Sequence, residues 1–187
     1  AASEKVKKEL ARVVDWWDGS ASKEKISRND NLAVGNKDGG ITTLIEKSLG
    51  AVMTAGSTRL TEVLNYASRI TKSGFTIMNT PGYDPVSVTG LVAGGCQLVA
   101  FTTGRGSVYG CAIAPTVKIA TRTQLFEQMA GDMDVDAGTI LTGETHESVG
   151  KRIFDELLDR PFQWTSTVSC IKSFIDNKVF RLFRDAD

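Results

Sequence analysis

The strongest constraint on the fold is the alternation of short apolar runs with segments of helical periodicity along this 187-residue chain. The runs at 75–78 (FTIM), 97–101 (QLVAF) and 116–121 (TVKIAT) have the length and composition of buried strands. This order predicts an α/β fold with a largely parallel sheet flanked by helices, in Rossmann-like layers. Such folds bind ligands at the carboxyl ends of their strands, so the polar turns that follow the runs are the first candidates for a site.

Capping residues and apolar spacing predict the helices. Thr43 and Glu46 have the spacing of a capping box, and Asp84 suits an N-cap because Pro85 follows it. Pro161 should end the helix before it. Helices are expected at 3–18, 43–55, 61–67, from Asp84 onward, 123–129 and 146–159. Small residues should let the fourth helix pack closely: Gly90, Ala93, Gly94 and Gly95. The last helix has one predicted apolar face: Val149, Ile153, Phe154, Leu157 and Leu158.

Composition excludes several classes of protein. Lys+Arg and Asp+Glu number 22 each, which argues against a basic nucleic-acid-binding surface. No run approaches the roughly 20 apolar residues of a membrane span. The three cysteines are widely spaced and odd in number, so neither a disulfide framework nor a zinc site is indicated. A reducing cytoplasm is therefore the expected location.

Three regions are predicted along the chain. Residues 1–30 form an N-terminal helix and linker, 31–160 the α/β domain, and 161–187 a helical tail. The chain does not begin with Met, so we expect it to be a part of a longer protein.

The segment FTTGRGSVYG, 101–110, carries the densest group of functional residue types. Its glycines are one residue too widely spaced for a dinucleotide fingerprint, and a strand rather than a helix is predicted next, which argues against nucleotide binding. Glycines let backbone N–H groups approach an anion, and Arg105 can hold a carboxylate by two parallel hydrogen bonds. Thr102, Thr103, Ser107 and Tyr109 would supply neutral donors. The local pattern fits a tight loop with a solvated Arg105 equally well.

Two other turns contain candidate residues. Asn36 and Lys37 lie in the glycine-rich VGNKDGG, where lysine could serve as a general base or simply occupy a solvated turn. Asp84, in TPGYDPVS, could act in catalysis or only cap its helix.

Metal-site patterns are weak. The alternating Asp132, Asp134 and Asp136 lack the glycine and glutamate positions of an EF-hand, so a solvated or capping loop is favoured. His146 is the single histidine and has no second ligand near it in sequence.

Long motifs nevertheless resemble one family. GNKDGGITTLIEKSLGAV, NTPGYDPVSVTGLVAGG and FTTGRGSVYGCAIAPTVKIATRTQLFEQMAGDMDVDAG occur in the order typical of the C-terminal part of altronate and galactarate dehydratases. The resemblance covers roughly residues 31–160 and implies a hydro-lyase that converts a sugar acid to a 2-keto-3-deoxy acid. A sulfolactate sulfo-lyase subunit is similar too, so the substrate stays open.

The resemblance implies a set of site residues, and their chemistry suggests the roles. Arg105 and the backbone of Gly104 and Gly106 would bind the substrate carboxylate. Lys37 or Lys118, with Tyr109, would perform acid/base chemistry. The remaining substrate-binding residues would be Asn36, Asp84, Thr102 and Thr103.

The resemblance also implies a divalent metal, Fe²⁺ or else Mn²⁺ or Mg²⁺, whose ligands the sequence does not identify. Family members contain Cys- and His-bearing motifs upstream that are absent here, and AVGNK replaces their SPGNK at 33–37. The expected partners are a small hydroxy acid and the upstream domain, with no nucleic acid and no membrane. A homo-oligomer is left open, as is a non-catalytic domain that only binds an acid.

Overall fold

The computed structural model describes residues 1–23, 37, 40–53 and 55–167, and these fall in two compact units, Ala1–Gly95 and Cys96–Asp187. We call them the N-terminal and C-terminal units. The predicted α/β class is confirmed, and the paired strands are parallel in both units. The strands do not join in one sheet, however, but form a two-stranded and a three-stranded sheet. The three predicted regions stay a prediction, since the boundary between the units lies inside 31–160.

The N-terminal unit contains helix α1 (Glu4–Lys23), helix α2 (Leu44–Met53), strands β1 (Leu60–Leu64) and β2 (Phe75–Met78), and helix α3 (Asp84–Ala93). The helix predicted over 61–67 is wrong, because most of that segment is strand β1. Its β-branched Thr61 and Val63 favour a strand, and β1 pairs with β2 in parallel after an irregularity between Leu60 and Glu62. The N-terminal core includes Val6, Leu60 and Val88.

Close packing of α3 is confirmed at two of its small residues. A Cβ on Gly90 would lie 2.3 Å from the Tyr66 ring, and one on Gly94 would lie 2.5 Å from Met78 Cε. Glycine is favoured at position 95 by backbone conformation rather than by close packing. Its φ of +117°, just after the helix, is one that residues with a side chain rarely adopt. Ala93 is exposed.

The helix starts differ in detail from their predictions. Thr43 caps α2 through its hydroxyl, which accepts the Glu46 N–H at 3.2 Å. The Glu46 carboxylate also accepts hydrogen bonds from the Thr42 N–H and hydroxyl. Asp84 is not the N-cap of α3: that position is Tyr83, whose carbonyl accepts the Ser87 N–H, and Asp84 is the first helical residue.

The C-terminal unit is built around a strand that is paired on both edges. It contains β3 (Val99–Thr103), β4 (Thr116–Ala120), α4 (Thr123–Gln128), β5 (Val135–Asp136), a 3₁₀ helix (Gly138–Thr142) and α5 (His146–Thr167), with sheet order β3-β4-β5. Successive side chains of β4 alternate between two faces. Val117 and Ile119 pack with Val135 beneath α5, whereas Ala120 packs with Leu125 on the α4 side.

Helix α5 is longer and less apolar on its buried face than predicted. It continues past Pro161 to Thr167, so the prediction that Pro161 ends the helix is wrong: Pro161 lacks an N–H donor, yet the backbone is helical on both sides of it. Val149, Ile153 and Leu157 lie at i, i+4 spacing on the packed face. Phe154 and Leu158 do not join them and are 59% and 54% exposed. The later tail lies outside the described residues.

Helices α1 and α2 expose much of their apolar surface. Leu49, Val52 and Met53 of α2 are each 60% exposed or more, and none of the residues of α2 is buried. No helix in the described part of the chain has both the length and the apolar character to cross a bilayer.

Gly138 allows the closest backbone approach in the C-terminal unit. A Cβ there would lie 2.2 Å from the Thr123 nitrogen and 2.6 Å from the Arg122 carbonyl carbon. Both neighbours are backbone atoms, which cannot move aside as a flexible side chain can. The 3₁₀ helix therefore fits against the segment after β4 because residue 138 has no side chain.

We expect Gly138→Ala to lower the free energy of unfolding by about 1–3 kcal/mol, the range for overpacking. Gly150→Ala is the matched control, because nothing lies within 4 Å of a Cβ on this α5 residue. Alanine should raise stability there by about 0.5–1 kcal/mol, through its higher helix propensity. Urea unfolding of the two variants measures both. Equal effects of the two substitutions would contradict the packing described for Gly138.

Candidate active site at the carboxyl end of the three-stranded sheet

The TTGRG segment lies where the sequence predicts, at the carboxyl end of β3. The strand ends at Thr103, and Gly104, Arg105 and Gly106 follow it. Thr102 and Thr103 project to opposite faces, because Thr102 is in register with Ile119 and Thr103 with Ala120. Thr103 thus shares the face on which α4 packs, and Thr102 shares the face on which α5 packs.

The glycines of this loop are required by its own packing. The Thr103 hydroxyl accepts the Gly106 N–H at 3.0 Å and closes the turn. Gly106 has φ +101°, and a Cβ there would lie 2.5 Å from the Met129 sulfur. A Cβ on Gly104 would meet the Thr121 hydroxyl at 3.0 Å. The loop is therefore pressed against α4 and the end of β4.

Arg105 is left available by this geometry. Its side chain is exposed, and it forms no hydrogen bond or ion pair with any residue that the structure describes. A guanidinium that extends from a tight loop and has no partner in the described part of the chain is able to bind a carboxylate through two parallel N–H groups.

Lys118 and Tyr109 lie on one face of the sheet. Lys118 is in register with Phe101 of β3, and the Phe101 and Tyr109 ring centroids are 5.9 Å apart. Lys118 is only 8% exposed. Its backbone is fixed on both sides by Asp134, whose Oδ2 accepts the Lys118 N–H at 2.7 Å and whose N–H donates to the Lys118 carbonyl at 2.8 Å. Of the predicted set, the structure thus relates Lys118 and Tyr109 to the same residue, Phe101, the first by strand register and the second by ring contact.

Arg122 is a site residue that the sequence analysis missed. It follows β4 at the same sheet edge, and its Nε donates to the Gly104 carbonyl at 2.8 Å. Ligands of α/β folds bind at the carboxyl ends of strands, and Arg122 directly follows the predicted strand TVKIAT, so the same pattern could have indicated it. The preceding Thr121 donates its backbone N–H to the Thr103 carbonyl at 3.0 Å.

The other predicted site residues belong to the N-terminal unit. Lys37 is exposed, and its carbonyl accepts the Gly40 N–H at 3.0 Å. Asp84 is exposed in the first turn of α3, where the Thr80 and Ser87 hydroxyls pair at 2.7 Å. Asn36 lies outside the described residues.

The acidic loop is structural, as the capping interpretation predicts. Asp136 is 8% exposed, and its Oδ1 accepts the Gly138 N–H at 2.8 Å in an Asx turn. No three His, Cys, Asp or Glu side chains come together as a metal-binding group among the residues described. These residues by themselves therefore do not fit the divalent metal that the resemblance implies.

Arg152 holds the carboxyl end of β5 through a set of hydrogen bonds that we call the arginine brace. Arg152 of α5 donates to the Asp136 carbonyl at 2.9 Å, to the Thr139 hydroxyl at 3.0 Å and to the Glu144 carboxylate at 2.8 Å. The hydrogen bond from Ser148, followed by the contacts with Thr139 and Arg152, lowers the pKa of Glu144 below its ordinary 4.5. The brace thus joins β5, the 3₁₀ helix and α5.

The chain is similar in sequence to known dehydratases. The sequence model of the family "D-galactarate/Altronate dehydratase, C-terminal" matches residues 1–161. Galactarate dehydratase (L-threo-forming) of Escherichia coli K12 is 41% identical over 160 residues, which cover 85% of this chain and 31% of the relative. Altronate dehydratase of Bacillus subtilis 168 is 42% identical over 125 residues, 67% of this chain and 25% of the relative.

A more distant relative is the (2R)-sulfolactate sulfo-lyase subunit beta of Chromohalobacter salexigens. It is 28% identical over 161 residues, which cover 84% of this chain and 41% of that subunit. The chain therefore spans well under half the length of each of these three relatives.

The lowered pKa of Glu144 predicts a pH dependence of stability. The carboxylate stabilises the folded chain fully above its unfolded pKa near 4.5, and this contribution is lost as the pH falls through the lower folded value. Glu144→Gln should therefore flatten the decline in unfolding free energy between roughly pH 5 and pH 3. Glu147→Gln, one helical position after His146, is the control and should keep the wild-type slope. Parallel curves for wild type and Glu144→Gln in urea titrations would contradict the prediction.

Proposed function

The chain belongs to the C-terminal family of D-galactarate/altronate dehydratases, and on this premise we propose that it is the C-terminal domain of a hydro-lyase that dehydrates a sugar acid. The observation that carries the proposal is the TTGRG loop, which holds an exposed Arg105, without a partner among the described residues, at the carboxyl end of a parallel strand. The substrates proposed are acids of the altronate or galactarate type, and the product is a 2-keto-3-deoxy acid.

The chemistry requires three groups in the site. A base removes the proton from the carbon beside the carboxylate, and the electron pair of that C–H bond forms a C=C bond. The hydroxyl on the next carbon takes a proton and leaves as water, and the enol that remains becomes the ketone. Negative charge grows on the carboxylate side during proton removal, so a fixed cation there stabilises the transition state.

Arg105 is the proposed carboxylate-binding residue. Its guanidinium has no competing partner among the described residues, and the glycine packing around it fixes the backbone from which it extends. The Thr103 hydroxyl accepts the Gly106 N–H, so it supports the loop and still has its own proton to donate. Thr102 lies on the opposite face, and its proposed contact with a substrate hydroxyl has no support from this geometry.

Lys118 is the proposed acid/base group of the C-terminal unit, and Tyr109 is proposed to assist it. Both lie on the face that includes Thr103, which is the face toward which the loop turns. Lys37, Asn36 and Asp84 are proposed as further site residues of the whole enzyme, as the family motifs imply. The metal is likewise proposed for the whole enzyme, with ligands that lie outside the described residues.

We expect Arg105→Ala in the whole enzyme to lower kcat/KM for its sugar acid by about 10²–10³-fold, the loss typical of one transition-state donor. Arg105→Lys should recover only part of this, because lysine keeps the charge but lacks the two-pronged geometry. Arg69→Ala is the control, because Arg69 is also exposed and belongs to the N-terminal unit. Steady-state assays of the 2-keto-3-deoxy product test this, and unchanged kcat/KM in Arg105→Ala would disprove the assignment.

Lys118→Met separates the chemistry of this lysine from its packing. Methionine has a similar length, and the bonds that hold residue 118 to Asp134 are backbone bonds on the Lys118 side, so they survive the substitution. The urea midpoint should stay close to that of wild type, while kcat falls by about 10²–10⁴-fold, the usual contribution of general acid–base catalysis. Full activity with an intact fold would exclude Lys118 and leave Lys37 as the candidate.

A further inference from the structure

Two consecutive carbonyls of the TTGRG loop are held by the segment that follows β4. The Thr103 carbonyl accepts the Thr121 N–H at 3.0 Å, and the Thr121 hydroxyl lies 3.4 Å from the same oxygen. The Gly104 carbonyl accepts the Arg122 Nε–H at 2.8 Å. Both peptide groups immediately before Arg105 therefore have a fixed orientation.

Each of these carbonyls belongs to a planar peptide group that also contains an N–H. Fixing the Thr103 and Gly104 carbonyls therefore also fixes the Gly104 and Arg105 N–H groups. A trans peptide points its N–H opposite to its C=O, and the described residues include no cis peptide bond. The Gly104 and Arg105 N–H groups consequently point away from Thr121 and Arg122. Neither N–H donates to any residue that the structure describes.

Arg122 is itself held firmly. Its carbonyl accepts the N–H groups of Leu125 and Phe126 at 3.1 and 3.2 Å. Gly138 leaves no room for a Cβ against its backbone, with the Arg122 Cα 2.7 Å from that position. A rigid backbone on this residue gives its guanidinium a defined starting point, which a solvated surface arginine lacks.

We propose that Arg122 is the positioning residue of the TTGRG loop: it orients the Gly104–Arg105 peptide so that the Arg105 N–H meets one anionic group together with the Arg105 guanidinium and the Gly104 N–H, which Thr121 orients. This inference rests on the proposed function, in which that group is the substrate carboxylate. Arg122 acts through Gly104 and does not touch the substrate. The arrangement resembles an oxyanion hole in its use of preorganised backbone donors.

The test uses the whole enzyme with Arg122→Met and Arg122→Lys, and Arg69→Met as the control for loss of an exposed arginine. Two readouts are measured: steady-state kinetics with galactarate and altronate, and calorimetric binding of oxalate, a planar dianion. We expect Arg122→Met to reduce kcat at least tenfold with KM changed less than kcat, and to weaken oxalate binding at least tenfold. Arg122→Lys should lie between Arg122→Met and wild type, since lysine can still donate one hydrogen bond to Gly104.

Low-millimolar guanidinium provides a further readout that a merely structural role would not move. It should restore part of the activity of Arg122→Ala and none in Arg69→Ala. A raised KM with unchanged kcat in Arg122→Met would make Arg122 a direct substrate ligand and overturn the positioning role. Wild-type kinetics and oxalate affinity in Arg122→Met would overturn it as well.

The two readouts separate this inference from the proposed function. If wild type converts no sugar acid, the proposed function fails, and oxalate binding alone decides the role of Arg122. A selective loss of oxalate affinity in Arg122→Met then supports the positioned anion site. Equal affinity in Arg122→Met and Arg69→Met, or no oxalate binding by wild type, rejects it.

Discussion

Strand β4 is paired on both edges, and the positions of the candidate site residues in the C-terminal unit follow from that pairing. Parallel register with β3 places Thr103 beside Ala120, so the two strands end together and their following turns meet. The same pairing places Lys118 beside Phe101 on the α4 face. Pairing with β5 brings Asp134 to the Lys118 backbone. Without the central strand, neither the loop carbonyls nor the buried lysine would have fixed positions.

Contacts continue outward from β4 to the helix that covers it. Arg152 of α5 holds the Asp136 carbonyl, Asp136 holds the Gly138 N–H, and Gly138 packs on the Arg122 backbone. Arg122 in turn holds the Gly104 carbonyl. A loop that is able to bind an anion is thereby attached to the most buried elements of the unit. In the loop, packing accounts for Gly104, Gly106 and the Thr103 hydroxyl, and Arg105 is the residue for which ligand binding is the better explanation.

The sequence predicted the features that depend on local pattern. Three apolar runs became strands, and the α/β class with its turns at strand ends followed from their order. It failed where tertiary contacts decide: the segment at 61–67 contains most of strand β1, and Phe154 and Leu158 have helical spacing suited to burial yet lie in solvent. Arg122 was missed because its role depends on a hydrogen bond to Gly104, 18 residues away. The family resemblance supplied candidates such as Lys37 and Asp84, whose roles no local pattern distinguishes from those of ordinary surface residues.

The most direct test of the central claim is a crystal structure of the whole enzyme with its sugar acid bound, prepared with the Lys118→Met variant to slow turnover. Our account predicts a substrate carboxylate within about 3 Å of two nitrogens of the Arg105 guanidinium, the distance of a charge-assisted pair. The Arg105 N–H should point at the same carboxylate, with Arg122 still bonded to Gly104. A carboxylate bound elsewhere, with Arg105 extended into solvent, would contradict the account.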